Sequence, residues 1–128
     1  MPNIVIIGSG PAGVSAALYA ARAGVKTTIL TKGPGALDRA ELIQNYYGFA
    51  EPISGAELER RGIEGAKALG VQFVTAEAVG LTYMDKLTVE TLAGDFPAAA
   101  DILATGASRA APHLHGHAGL EGHGVSYC

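Results

Sequence analysis

With 128 residues, 48% hydrophobic and 16% charged, the chain suits one small soluble α/β domain and is too apolar to stay disordered. A domain of this size buries roughly two-thirds of the surface its unfolded chain exposes, enough for a hydrophobic core. A formal net charge of −3 without any basic run argues against nucleic acid and anionic membrane as partners.

Ile4–Ile7 is a short β-branched run, which predicts a central strand buried on both faces. It is too short, and lacks the charged leader, to be a signal peptide, and no stretch nears the ~20 apolar residues of a membrane span. Gly8-Ser9-Gly10-Pro11-Ala12-Gly13 follows, then an alanine-rich helix from about Pro11 to Ala23, closed by Gly24. Lys26–Thr31 predicts a second, parallel strand, and the whole makes a βαβ unit. Lys32–Ala50 is a long connection carrying Tyr46-Tyr47-Gly48-Phe49, and connections of this length are often functional.

Ser54-Gly55-Ala56-Glu57 reads as a capping box, with Ile53 and Leu58 as a hydrophobic staple. Leu58, Gly62, Ala66 and Leu69 share one helical face, and Gly70 ends the helix. Val71–Thr75 predicts a third strand, and Ala78–Met84 with Leu87–Leu92 a hairpin turned at Asp85-Lys86. Gly94-Asp95 starts the next turn, and Asp101–Ala104 returns as a short strand ending in Thr105-Gly106. From Ala107 onward no periodicity appears, which predicts an extended linker. The single cysteine, Cys128, precludes an intrachain disulfide framework and fits a reducing, cytoplasmic setting.

The chemistry concentrates in Gly8-x-Gly10-x-x-Gly13 between a strand and a helix. Gly8 permits the turn, Gly10 lets the backbone approach a pyrophosphate, and Gly13 lets the helix pack close to the strand. The helix N-terminus presents unpaired N–H groups and a positive dipole end, and Pro11 costs nothing there. The acidic residue expected ~20 residues on, for the ribose, is missing. The second strand ends in Thr31-Lys32 and the next acid is Asp38, so the ribose falls to Thr31, Lys32 or backbone groups.

Four blocks occur in order: residues 8–22, Gln44-Asn45-Tyr46-Tyr47-Gly48-Phe49, Ala104-Thr105-Gly106-Ala107 and Gly124-Val125-Ser126-Tyr127-Cys128. Together they resemble the thioredoxin reductase family of FAD-dependent pyridine nucleotide-disulfide oxidoreductases over essentially the whole chain. The resemblance implies a Rossmann-like FAD-binding domain: a parallel sheet with helices plus a small antiparallel hairpin or meander, incomplete at its C-terminal end. Residues 1–110 then form the partial FAD-binding domain, and 111–128 a linker toward the redox cysteines. It also implies that Asn45 hydrogen-bonds the FAD and that Thr105-Gly106 forms a second FAD-contacting loop. A turn-forming Asn45 and an ordinary strand-end glycine remain open for those positions. Tyr47 stands where the family usually has proline, and Gly33-Pro34-Gly35-Ala36-Leu37 where its Gly-Gly-Gln segment lies.

By the same resemblance Cys128 is the first cysteine of a Cys-x-x-Cys dithiol that exchanges with a thioredoxin-like disulfide protein. NADPH binds, in the complete enzyme, to a further domain with its own glycine fingerprint, and this chain has no such site. His113, His115, His117 and His123 sit in the glycine-rich tail without the spacing of a zinc site, so no metal is expected. Three readings follow: part of a thioredoxin-reductase-like enzyme, completed by more chain, a complementing chain or a homodimer; a non-catalytic FAD- or ADP-binding module; or a folded unit with an open sheet edge that binds nothing.

Overall fold

The computed structural model describes residues 1–126; the expectation that falls on Cys128 lies outside the described residues. Strand β1 (Asn3–Ile7), helix α1 (Pro11–Arg22) and strand β2 (Lys26–Thr31) form the βαβ unit. Helix α2 (Gly55–Ala68), β3 (Gln72–Thr75), β4 (Ala78–Tyr83), β5 (Leu87–Thr91), β6 (Gly94–Ala98) and β7 (Ala100–Leu103) follow. Four strands make a parallel sheet in the order β3-β2-β1-β7, and β4-β5-β6 make a separate antiparallel sheet.

The period-two alternation of β1 and β2 sends successive side chains to opposite faces, and both faces are covered. Ile6 and Ile29 pack with Val14 and Ala17 of α1, Ala66 of α2 and Val71. Val5 and Leu30 point the other way, onto Val89 of β5 and Ala98 of β6. The parallel sheet is therefore the middle layer between two helices and the antiparallel meander. Ile6, Ile29, Leu30, Val5 and Val89 are the largest fully buried side chains. Each contributes on the order of 1.5–3 kcal/mol from apolar burial.

Helix α2 starts as its sequence dictates, with Ser54 Oγ accepting the Glu57 N–H at 3.2 Å. The reciprocal half of the capping box is absent because the Glu57 carboxylate takes Arg60 Nε at 2.7 Å and Arg61 Nε at 2.8 Å. The buried face also differs from the helical-wheel expectation. Leu69 is the exposed C-cap residue, and Ile63 packs against the core in its place.

The turn expected at Gly94-Asp95 falls two residues earlier. Thr91 Oγ1 accepts the Ala93 N–H and donates to the Gly94 carbonyl, so Leu92-Ala93 turn the chain. Gly94–Ala98 then forms a third meander strand, with Pro97 opposite Thr88. Proline is tolerated because β6 is an edge strand. The tail contains a 3-10 turn, His117–Leu120, entered through Gly116 at φ +78°, where the sequence shows no periodicity. A turn this short has no apolar period to read.

Among the described residues, Asp101 is the one discordant polar residue. Both carboxylate oxygens are buried and lack a hydrogen-bond partner among the described residues. Burial pushes its pKa up. The native chain therefore keeps a proton that the unfolded chain releases, and stability falls as pH rises from about 4 through the raised folded-state value. Glu57, held down to about 2 by Arg60 and then Arg61, acts with the opposite sign, its contribution being lost as pH falls toward that value. Urea unfolding across pH 4–7 is expected to show a steeper loss of stability with rising pH in the wild type than in Asp101→Asn, since both share Glu57. Equal slopes would contradict the burial of a titrating Asp101.

Candidate functional site

The site forms where β1 gives way to α1. Gly8 sits at φ +115°, and its N–H donates to the Leu30 carbonyl at 2.9 Å, tying the turn to β2. A Cβ on Gly8 would overlap the carbonyl oxygen of Ala104, directly after β7. A Cβ on Gly13 would overlap the Gly8 carbonyl oxygen and lie 3.3 Å from Ile6 Cγ2. These two glycines are thus required by the protein's own backbone. Gly10 is different: it is the α1 N-cap at φ −71°, ψ −178°, and a Cβ there would meet nothing within 4 Å.

That open space faces the start of an uncapped helix. No side chain caps α1, no acidic residue lies in its first turn, and Pro11 has no N–H. The Val14 N–H is satisfied by the Gly10 carbonyl at 3.0 Å. The N–H groups of Ala12 and Gly13 keep the orphan character of a helix start, with roughly half a positive charge from the helix dipole. An anion is what this geometry accepts. The loops after β1 and β7 meet at the carboxyl ends of adjacent parallel strands, where the order turns back from β2 to β7. Nucleotides bind open α/β sheets at such a switch point.

Ser9 is 7% exposed, and its hydroxyl lies 2.6 Å from Thr31 Oγ1. Thr31 Oγ1 also accepts the Gly33 N–H at 3.2 Å, so the pair joins the glycine loop to the end of β2. Lys32 Nζ is 3.5 Å from Glu77 Oε1 on the surface. Beside these residues runs an open cleft of about 560 Å³, between α2 and the ends of β2 and β3. Its wall includes Ile63, Lys67 and Phe73, with the Lys67 ammonium 5.5 Å from the Phe73 ring centroid. The spacing on α2 reads as a solvated, charge-paired face, and the Glu57, Arg60, Arg61 and Glu64 pairs bear this out. The cleft wall on the same helix was not legible, because it needs β3 beside it.

Gly8 through Gly13, Thr31, Lys32, Thr105 and Gly106 all lie at this end of the sheet, and Gly106 takes φ +72°. Asn45 is exposed on the 32–50 connection, and its side chain makes no hydrogen bond among the described residues. That connection is pinned by the Ile43–Ile53 bridge, by the tilted contact of the Tyr46 and Phe49 rings at 5.9 Å and by Arg61 over Phe49 at 5.8 Å. Tyr47 stays 98% exposed. No group of three or more potential metal ligands converges among the described residues, and none of their helices is long and apolar enough to cross a membrane.

Fold and site together define a Rossmann-like nucleotide-binding domain of the kind that grips a diphosphate on a helix N-terminus. The family model for pyridine nucleotide-disulphide oxidoreductases matches residues 2–128, and the chain belongs to that family. Thioredoxin reductases of Aquifex aeolicus and Peptoclostridium litorale are each 40% identical over 98% of the chain. The chain spans 40% and 41% of those proteins' lengths, respectively. Solved thioredoxin reductases superpose well. That of Lactococcus lactis gives a TM-score of 0.84 at 37% identity, covering 100% of this chain and 43% of its own. The Gloeobacter violaceus enzyme gives 0.81 at 40% identity, covering 98% and 41%. The fold is that of the FAD-binding region of these enzymes, and the chain resembles their N-terminal portion.

Gly10 and Gly13 make separable predictions. Gly13→Ala forces the helix off the Gly8 carbonyl and is expected to cost about 1–3 kcal/mol in urea unfolding. Gly10→Ala is expected to cost less than about 1 kcal/mol, since its backbone angles and surroundings admit a methyl group. Equal losses would show that the space at Gly10 is not open.

Proposed function

We propose that the chain is the FAD-binding part of a thioredoxin-reductase-like flavoprotein disulfide oxidoreductase. The observation that carries this reading is the uncapped N-terminus of α1 behind Gly10, a cradle that a Cβ would fill. Gly8, Ser9, Gly10, Pro11, Ala12 and Gly13 hold the FAD diphosphate. The Ala12 and Gly13 amides act as donors, and the helix dipole offsets the charge. Family membership and the 40% identity to named thioredoxin reductases supply the reaction class.

Thr31 and Lys32 lie toward the adenosine ribose. With no carboxylate there, Thr31 meets the sugar while held by Ser9 and Gly33, and Lys32 stays neutralised by Glu77. Thr105 and Gly106 line the far side of the diphosphate from the β7 loop, and Asn45 contacts the flavin from the aromatic connection. FAD, when bound, supplies the redox centre between NADPH and a Cys-x-x-Cys dithiol. Cys128 is the first thiol of that pair, and a thioredoxin-like disulfide protein is the final acceptor. The NADPH site and the second thiol belong to the remaining three-fifths of the relatives' length. The setting is the reducing cytoplasm, which keeps such a dithiol available.

The purified chain mixed with FAD and desalted is expected to retain the flavin's near-UV and blue absorbance bands. Gly10→Ala is expected to remain folded by circular dichroism and to lose at least tenfold in flavin affinity. A colourless wild-type protein after desalting, with no affinity by equilibrium titration, would overturn the reading. Flavin retained equally by Gly10→Ala would move the site away from the α1 mouth.

A further inference from the structure

Helix α2 holds the connection that leads into it from β2. Gly55, in its first turn, gives its N–H to the Ala40 carbonyl at 2.8 Å, and a Cβ there would overlap the Leu37 carbonyl oxygen. Glu59, one turn further on, accepts the Gly35 N–H at 3.4 Å. The later part of the connection closes on itself. Ile43 and Ile53 exchange backbone hydrogen bonds of 2.8 and 3.0 Å, so residues 44–52 form a loop with tied ends. Asn45 stands on that loop. Within it the Phe49 N–H donates to the Tyr46 carbonyl at 3.3 Å, beside the contact of the two rings.

Arg61 reaches this loop from α2, its guanidinium carbon 5.8 Å from the centroid of the Phe49 ring. The guanidinium is itself fixed on the helix, because Nε donates to Glu57 Oε1 at 2.8 Å, one turn back. A planar guanidinium can hydrogen-bond in its own plane while its face lies on an aromatic ring. The negative face of the ring attracts the cation, which gives the contact a defined place. The same helix is locked to α1. Ile63 and Ala66 pack with Val14, which directly follows Gly13 in the chain.

Helix α2 therefore joins the mouth of α1 to the loop that carries Asn45. In the function proposed above, these two places meet the diphosphate and the flavin of one cofactor. We propose that Arg61 is a positioning residue for that cofactor: through Phe49 it holds the 44–52 loop on α2, so that Asn45 is set in place before the flavin arrives. A loop ordered in advance loses less freedom on binding. The role rests on the Asn45–flavin contact of that proposed function.

Calorimetric titration with FAD and with ADP tests it, because ADP carries the adenosine and diphosphate but no flavin. Arg61→Met is expected to lose about two- to fivefold in FAD affinity, the scale of an exposed cation–π contact, with ADP affinity unchanged. Arg61→Lys, which keeps the cation, is expected to restore most of it. Phe49→Leu is expected to match Arg61→Met, and it carries the test if Arg61→Met is unfolded by circular dichroism. In the ligand-free chain, amide NMR relaxation is expected to show lower order across 44–49 in Arg61→Met than in wild type. Unchanged order there, or an equal loss of FAD and ADP affinity, would overturn the proposal. Asn45→Ala separates it from the reading beneath it. A selective loss of FAD in Asn45→Ala but in neither Arg61→Met nor Phe49→Leu would overturn the role of Arg61 and leave the flavin contact standing. Wild-type FAD affinity in Asn45→Ala would remove the flavin contact, and the role of Arg61 with it.

Discussion

Two contacts between main chains hold the site in shape: Gly13 against the carbonyl of Gly8, and Gly8 against the carbonyl of Ala104. No side chain fits at either place, so the start of α1, the end of β1 and the end of β7 approach as closely as backbone allows. The N–H groups at the helix start consequently point into space that no protein group fills. A helix end without a partner is a standing electrostatic cost. Here it lies at the carboxyl end of the parallel sheet, where three chain segments converge and where the diphosphate is proposed to bind.

The rest of the fold supports that arrangement from both sides. The Ile6 and Ile29 layer fixes α1 and α2 on one face, and the Val5 and Leu30 layer seats the meander on the other. The hydrogen bond between Ser9 and Thr31 then sets the loop against β2, so the loop does not depend on ligand for its position. A preformed cradle of this kind loses little conformational entropy on binding. The cleft beside it is floored by β3 and walled by α2.

Much of this was legible before any coordinates. The glycine spacing, the Ser54 cap and the β-branched runs of β1 and β2 are local signals, and each appears as its sequence dictates. The third meander strand was not legible, because Gly94-Asp95 reads as the start of a turn and only an edge position makes Pro97 acceptable in a strand. Leu69 misleads for a related reason: helical periodicity places it on the buried face, but it falls at the C-cap, and Ile63 faces the core instead. Asp101 gave no signal at all. A lone acid at the start of a strand is ordinary in sequence and becomes discordant only once the meander covers it.

The central claim, that main-chain amides at the mouth of α1 bind a diphosphate, is tested most directly by amide NMR. Titrating the isotopically labelled chain with FAD, and separately with ADP, is expected to shift the Gly10, Ala12 and Gly13 amide resonances most, and to slow exchange of the Ala12 and Gly13 protons with water. Binding of either nucleotide that leaves those three resonances in place, with the largest shifts elsewhere on the sheet, would contradict it.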